Sequence, residues 1–187
     1  MAEIILASGS PRRYELLTMA GYSVKVMPTD ADENTEGMTP SECVAELSRR
    51  KAEASRESGV VIAADTVVAL DGEILGKPRD SEDAKAMLGR LSGRSHSVFT
   101  GFTVKCGDKS VTEAVETKVY MREITEAEID AYVATGDSLD KAGAYGIQGR
   151  AGMFISHIEG DYYTVVGLPL CRLSEVLRDE FEISPNL

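Results

Sequence analysis

Between Val60 and Leu70 the chain reads Val-Val-Ile-Ala-Ala-Asp-Thr-Val-Val-Ala-Leu, with Asp65 and Thr66 the only polar side chains in the run. Apolar residues at consecutive rather than alternate positions mark a strand covered on both faces. Such strands belong to layered α/β domains. An ionised carboxylate inside the run is costly unless it is paired or binds a metal. Asp65 therefore suggests a strand end facing a cleft, where open α/β sheets place their ligands, and it reads as a metal ligand or general base. The plainer reading is a strand-edge Asp capping a turn.

The rest of the chain alternates strand-like and helix-like patterns in the same way. A strand over Ile4–Ala7 leads into Ser8-Gly9-Ser10-Pro11, where Ser10 is a natural N-cap, and a helix from Pro11 carries Leu16, Leu17 and Ala20 inward before ending at Gly21. Ser23 to Met27 reads as a second strand, and Asp30 to Gly37 as an acidic loop. Thr39-Pro40-Ser41-Glu42 is a capping box opening a helix through about Ser58. Asp71-Gly72 is a two-residue hairpin signal into Glu73–Leu75. A helix from Asp80 to about Leu91 has acids in its first turn, and Val98–Val104 and Glu113–Met121 read as a long strand pair. Thr125 and Glu128 form a second capping box, whose helix ends at Gly136. Met153–Ile158 and Tyr162–Val166 suggest a hairpin turning at Gly160-Asp161, and Pro169 opens a last helix with Leu170, Leu173, Val176, Leu177 and Phe181 on one face. There is no repeat, low-complexity tract or linker, so the 187 residues read as one domain with two lobes.

Charge narrows the function. Lys and Arg total 20 against 31 Asp and Glu, a net charge of −11. That balance argues against a partner that is a nucleic-acid polymer, whose binding rests on a broad basic surface. A small phosphorylated ligand remains compatible, because a few local cations can dominate a cleft. No apolar stretch approaches membrane-spanning length and no basic n-region precedes Ile4, so the expected location is cytoplasmic. The three cysteines are odd in number and widely spaced, and the two histidines are isolated, which disfavours a disulfide framework or a zinc site.

Ser8-Gly9-Ser10-Pro11-Arg12-Arg13 places two guanidiniums in the first turn of a helix, whose free N–H groups favour an anion. The segment suits a polyphosphate; an ordinary capped helix with two solvated arginines is the equal alternative. Pro78 pushes Lys77 toward extended backbone and could aim it at a phosphate, although a lone loop lysine is more often solvated. Arg49-Arg50-Lys51 likewise reads as a solvated helix face. The glycine-punctuated loop Asp140–Gly149 matches no phosphate-binding fingerprint, and its Gln148 carboxamide is able to pair with a nucleobase edge or simply face water.

Taken together, Ser8-Gly9-Ser10-Pro11-Arg12-Arg13, Ala64-Asp65-Thr66-Val67-Val68, Gly76-Lys77-Pro78-Arg79-Asp80, the Asp140–Gly149 stretch and Val165-Val166-Gly167-Leu168-Pro169-Leu170 resemble the Maf family of nucleoside triphosphate pyrophosphatases. The resemblance spans nearly the whole chain. It implies an elongated mixed sheet flanked by helices, related to the inosine triphosphate pyrophosphatases, with a cleft between two lobes. It also implies hydrolysis of a nucleoside triphosphate to the monophosphate and pyrophosphate, with a divalent metal cation, Mg²⁺ or Mn²⁺. The Asp140–Gly149 stretch looks like the branch acting on dTTP and UTP. By motif, Asp65 matches the proton acceptor, Arg12, Thr66 and Gln148 match positions tied to base choice, and Ser8, Arg13, Glu33, Lys51 and Lys77 match other cleft positions. Glu33 and Asp65 would share the metal. The resemblance further implies a homodimer. Two rivals stand beside this reading: hydrolysis of 7-methyl-GTP by the same chemistry, and a nucleotide-sensing regulator of cell division.

Overall fold

In the computed structural model, which describes residues 3–186, the apolar runs become strands and the capped segments helices. In chain order the first elements are β1 (Ile4–Leu6), α1 (Pro11–Met19), β2 (Val24–Val26), α2 (Pro40–Ala54), β3 (Val60–Leu70), β4 (Glu73–Leu75) and α3 (Ser81–Leu91). They are followed by β5 (Ser95–Cys106), β6 (Lys109–Met121), α4 (Glu126–Val133), β7 (Ile155–Glu159), α5 (Tyr162–Val166) and α6 (Leu170–Phe181). The strands form a seven-stranded sheet in the order β2-β1-β3-β5-β6-β7, with β4 off this path against β3. The sheet is mixed: β1 runs parallel to β2 and β3, whereas β3–β4 and β6–β7 are antiparallel. No helix among the described residues is long and apolar enough to cross a membrane.

The chain folds into two compact units. The first comprises the residues up to Asp65, Thr100–Val115 and the residues from Gly167 on; the second comprises Thr66–Phe99 and Glu116–Val166. In the first, Ile5, Ala7, Ala52, Val61 and Ala63 pack together, and these side chains are small enough to bring α2 close to the strands. Gly101 makes the closest approach: a Cβ there would lie 2.2 Å from the Val44 carbonyl oxygen and 2.7 Å from the Ala45 nitrogen. That obstacle is backbone, which cannot swing aside as a side chain would. Gly101→Ala is expected to cost about 1–3 kcal/mol through overpacking. Gly89, in α3 with nothing within 4 Å of its would-be Cβ, makes the control. Gly89→Ala should gain about 0.5–1 kcal/mol from helix propensity. Urea midpoints that move the same way in both variants would contradict this account of the α2 packing. The second unit has the larger of these two clusters, built on Leu88, Leu91, Val119, Tyr132 and Phe154.

Local signals set most element ends. Both capping boxes form, Thr39 with Glu42 and Thr125 with Glu128, each hydroxyl accepting from the N3 amide while the glutamate accepts from the N-cap amide. Asp80 caps α3 by accepting from Asp83 N at 2.8 Å. Asp71 and Gly72, at φ 53° and 82°, make the tight turn from β3 to β4. Three expectations need correction. Ser10 occupies the N-cap position of α1, but its side chain makes no cap bond. Helix α2 stops at Ala54, short of Ser58, because Ser55 is already extended (φ −69°, ψ 130°), so its carbonyl no longer continues the helical ladder. Tyr162–Val166 is a helical turn and not a strand. Asp161 accepts from the Tyr163 amide at 3.0 Å and the Thr164 hydroxyl at 3.2 Å, which nucleates α5, while β7 takes its hydrogen bonds from β6.

Candidate active site

The first unit gathers six of the sequence-nominated residues: Ser8, Arg12, Arg13, Glu33, Lys51 and Asp65. The sequence suggests a strand end at Asp65; the structure instead puts it at the half-buried midpoint of β3, because the apolar residues beyond it stay extended and Val68–Leu70 pair with β4, leaving buried residues on either side of Asp65-Thr66. Its Oδ1 accepts from Lys51 Nζ at 2.7 Å. The same ammonium lies 3.1 Å from Glu33 Oε1. Lys51 and Asp65 are each 16% exposed in their side chains, whereas Glu33 is 70% exposed. The three groups thus form a short chain of charge leading from strand to solvent. Burial pulls the Lys51 pKa down, but Asp65 and then Glu33 outweigh it and leave the net value above that of an ordinary lysine. Lys51 is therefore an ammonium at neutral pH and acts as a charge, not as a base. The Thr29 hydroxyl donates to the Lys51 carbonyl at 2.8 Å, which ties the start of the acidic loop to the end of α2.

Arg13 plays a part that spacing alone does not reveal. Its Nη1 donates to Ser8 Oγ at 3.0 Å and to Ala64 O at 2.8 Å, and its Nε to Gly167 O at 2.9 Å. One guanidinium therefore pins the β1–α1 turn, the residue before Asp65, and Gly167, two residues before Pro169 at the N-cap of α6. Ser8 Oγ also accepts from Ser10 N at 3.3 Å. Burial lowers the Arg13 pKa, the Asp65 charge opposes that shift and Arg12 adds to it; a guanidinium remains charged regardless. Arg13 is thus committed to the protein's own oxygens at Nε and Nη1, which makes it a brace for the Asp65 strand. Arg12 next to it is half-buried.

Thr66, Lys77 and Gln148 belong to the second unit. Thr66 is half-buried directly after Asp65, while Lys77 and Gln148 are exposed. The loop carrying Gln148 is anchored within its unit. Gly143 N donates to Gly76 O at 3.1 Å, one residue from Lys77. Gly143 holds φ +67° with its would-be Cβ only 3.0 Å from Val68 Cγ1, so both backbone conformation and space call for glycine there. Tyr145 is buried, and its hydroxyl lies 2.6 Å from His96 Nε2.

Two residues escaped the sequence reading. His96 looked merely isolated, because nothing linear ties it to Tyr145 forty-nine residues away. Arg50 reads in the sequence as part of a solvated cationic face, yet it points at the acidic loop. The three cations of that face in fact diverge, Arg49 onto Glu46 and Glu53, Arg50 onto Glu46 and the loop, and Lys51 onto Asp65.

The family model described as Maf-like protein matches residues 3–180. The chain belongs to the Maf family. A dTTP/UTP pyrophosphatase of Geotalea uraniireducens (strain Rf4) is 51% identical over 183 residues, covering 95% of this chain and 94% of that protein. Proteins of the same name from Bacillus cereus (strain AH820) and Bacillus anthracis are each 48% identical over 182 residues, covering 95% of both chains. The Maf match therefore takes in every site residue above, from Ser8 to Gln148.

Among the described residues no group of three or more His, Cys, Asp or Glu side chains is placed to hold a metal ion. Glu33 and Asp65 nonetheless converge on one ammonium. Two hard carboxylate donors suit Mg²⁺ or Mn²⁺, since Mg²⁺ commonly takes one or two carboxylates and completes its shell with water and substrate phosphates. The donor set fits such a cation.

Proposed function

We propose that this chain hydrolyses dTTP and UTP to the nucleoside monophosphate and pyrophosphate, a reading supported by Maf relatives that carry the name dTTP/UTP pyrophosphatase. The observation that carries the reading is the half-buried Asp65 held at 2.7 Å by Lys51, a carboxylate kept in place beside cations. In the proposed reaction a water oxygen attacks the α-phosphorus, the bond from that phosphorus to the bridging oxygen breaks, and its electron pair leaves with pyrophosphate. Asp65 accepts the proton of the attacking water. Lys51, Arg12 and Lys77 offset the charge of the triphosphate and of the departing pyrophosphate. Glu33 and Asp65 would hold the divalent cation, which when bound screens the phosphate oxygens and orients them.

Gln148 is assigned to the base. Its carboxamide is able to accept from N3–H of uracil or thymine and donate to O4, and thymine's methyl requires only space. A single methyl discriminates by about 1–3 kcal/mol, in keeping with acceptance of both nucleotides. Gln148→Ala should lower kcat/KM for dTTP and UTP by about ten- to a hundredfold, the cost of losing hydrogen bonds to the base. Inhibition by pyrophosphate should hold near the parent value. Equal losses in both would contradict base reading.

The deciding experiment is product analysis on a nucleotide panel with and without Mg²⁺ or Mn²⁺. Pyrophosphate from dTTP and UTP, and little from 7-methyl-GTP, is expected. Binding without pyrophosphate release would favour the regulator, and turnover confined to 7-methyl-GTP the other branch.

A further inference from the structure

The acidic loop between Met27 and Pro40 holds Glu33, whose side chain is largely in water; something other than its own packing must define where it sits. Arg50 supplies the constraint. Its Nη1 donates to the carbonyl oxygens of Asp32 at 3.0 Å and Asn34 at 2.7 Å, the two residues that flank Glu33. The Arg50 side chain is itself fixed on α2, because Nε donates to Glu46 Oε1 at 2.7 Å, one helical turn back. Glu46 in turn takes Arg49 on both oxygens, at 2.9 Å and 2.7 Å. Hydrogen bonds from Arg49, then from Arg50, draw the Glu46 carboxyl down to about 2, so it stays ionised across the physiological range. The loop adds turns of its own, Asn34 N to Asp32 Oδ1 at 3.0 Å and Glu36 N to Asn34 Oδ1 at 3.1 Å. These shape it but do not tie it to the helix. Thr29 Oγ1 to Lys51 O at 2.8 Å and Cys43 Sγ to Thr35 Oγ1 at 3.2 Å join the loop to α2, but neither touches the two residues beside Glu33. Arg50 holds both of those, and the next residue on that helix is Lys51, the group Glu33 meets.

We propose that Arg50 is a positioning residue that holds Glu33 against Lys51 by clamping the carbonyls on either side of it, with Glu46 fixing the clamp to α2. The functional side of this inference rests on the role given to Glu33 above. Planar guanidinium geometry is what the site uses: one nitrogen bonds Glu46 while another spans two carbonyls. A lysine has the charge but only one nitrogen, so Arg50→Lys should fail as Arg50→Met does. Supporting residues of this kind typically contribute about ten- to a hundredfold to activity or metal affinity.

The test compares Arg50→Lys, Arg50→Met, Glu33→Gln and the double variant Arg50→Met/Glu33→Gln. Three readouts are taken: kcat and KM for dTTP, Mn²⁺ affinity from water-proton relaxation of the substrate-free protein, and amide hydrogen exchange over residues 32–36. Both Arg50 variants should lose about ten- to a hundredfold in kcat or in Mn²⁺ affinity, with exchange accelerated over 32–36 and thermal midpoints close to the parent. The double variant should be no worse than Glu33→Gln alone, since the clamp acts through Glu33. Losses that multiply in the double variant, or Arg50→Lys behaving as the parent, would overturn the proposal. If Glu33→Gln alone matches the parent, the function assigned to Glu33 is wrong. The exchange arm then decides by itself: unchanged exchange in Arg50→Met overturns the clamp, and faster exchange upholds it as an ordering device.

Discussion

Asp65→Asn is expected to lower turnover of dTTP by about 10²–10⁴-fold, the usual contribution of a positioned general base, and to leave the chain folded. Asparagine keeps the size of the side chain and an oxygen that can still accept from Lys51 Nζ, now 2.7 Å from Asp65 Oδ1. What it loses is the capacity to take up a proton, and one negative charge beside a lysine that is only 16% exposed. The second loss has its own signature. Burial already works against the Lys51 ammonium, and Asp65 is the first of the groups that offset it. Without that carboxylate the Lys51 pKa should drop, an effect visible by NMR of the side chain even if no substrate is present. Lys51→Met supplies the complementary variant, keeping the carboxylate while removing its cation. If Asp65→Asn retained near-parent turnover with an unaltered thermal midpoint, the proton would have to go elsewhere and the mechanism above would be wrong. If it simply unfolded, Asp65→Glu, which keeps the charge but moves it by one methylene, would separate geometry from folding.

The sequence was most legible where one residue type has one physical use. The consecutive apolar residues of Val60–Leu70 read as a buried strand and are one. Thr39/Glu42 and Thr125/Glu128 read as capping boxes and form them. Asp65 stood out for the same reason, since a charge inside an apolar run needs a partner, and Lys51 is that partner. Legibility failed where a signal has two local uses. Gly160-Asp161 between apolar runs suits a hairpin, yet the Asp carboxylate found the Tyr163 amide and the Thr164 hydroxyl and started a helical turn. Three consecutive cations on a helix face point in different directions, at 100° per residue, and only the tertiary structure decides what each meets. Arg13 shows the same limit from the other side: the spacing places it at a helix start, but not that Ala64 and Gly167, from distant segments, would supply its acceptors.

Lowering the pH from 7 to 4 should cost the second unit about 3 kcal/mol of stability through His96 alone. His96 lies near the start of β5, 4% exposed, with Nε2 on the Tyr145 hydroxyl and Nδ1 without a hydrogen-bond partner. Burial lowers its pKa from 6.5 to about 4. In the unfolded chain the imidazole titrates near 6.5. Between those values the unfolded state binds a proton that the folded state refuses, so stability rises with pH across the window and falls as acid is added. It is fully present above about 6.5 and is lost progressively down to about 4. Carboxylates also titrate in this range, and the way to isolate the histidine is subtraction. His96→Gln removes the titration and keeps a polar group facing the Tyr145 hydroxyl, so its unfolding free energy, followed by urea at each pH, should converge on the parent's as pH falls, by about 3 kcal/mol over the window. Parallel curves for the two proteins would mean that the folded site admits the proton. The consequence reaches the base-reading loop, because Tyr145 stands three residues before Gln148 and His96 is what its hydroxyl meets. Charging the imidazole puts a buried N–H on Nδ1, which has no partner, and so destabilises the pocket that holds Tyr145. Amide exchange over residues 143–149 should therefore accelerate at acid pH in the parent and not in His96→Gln, before global unfolding sets in.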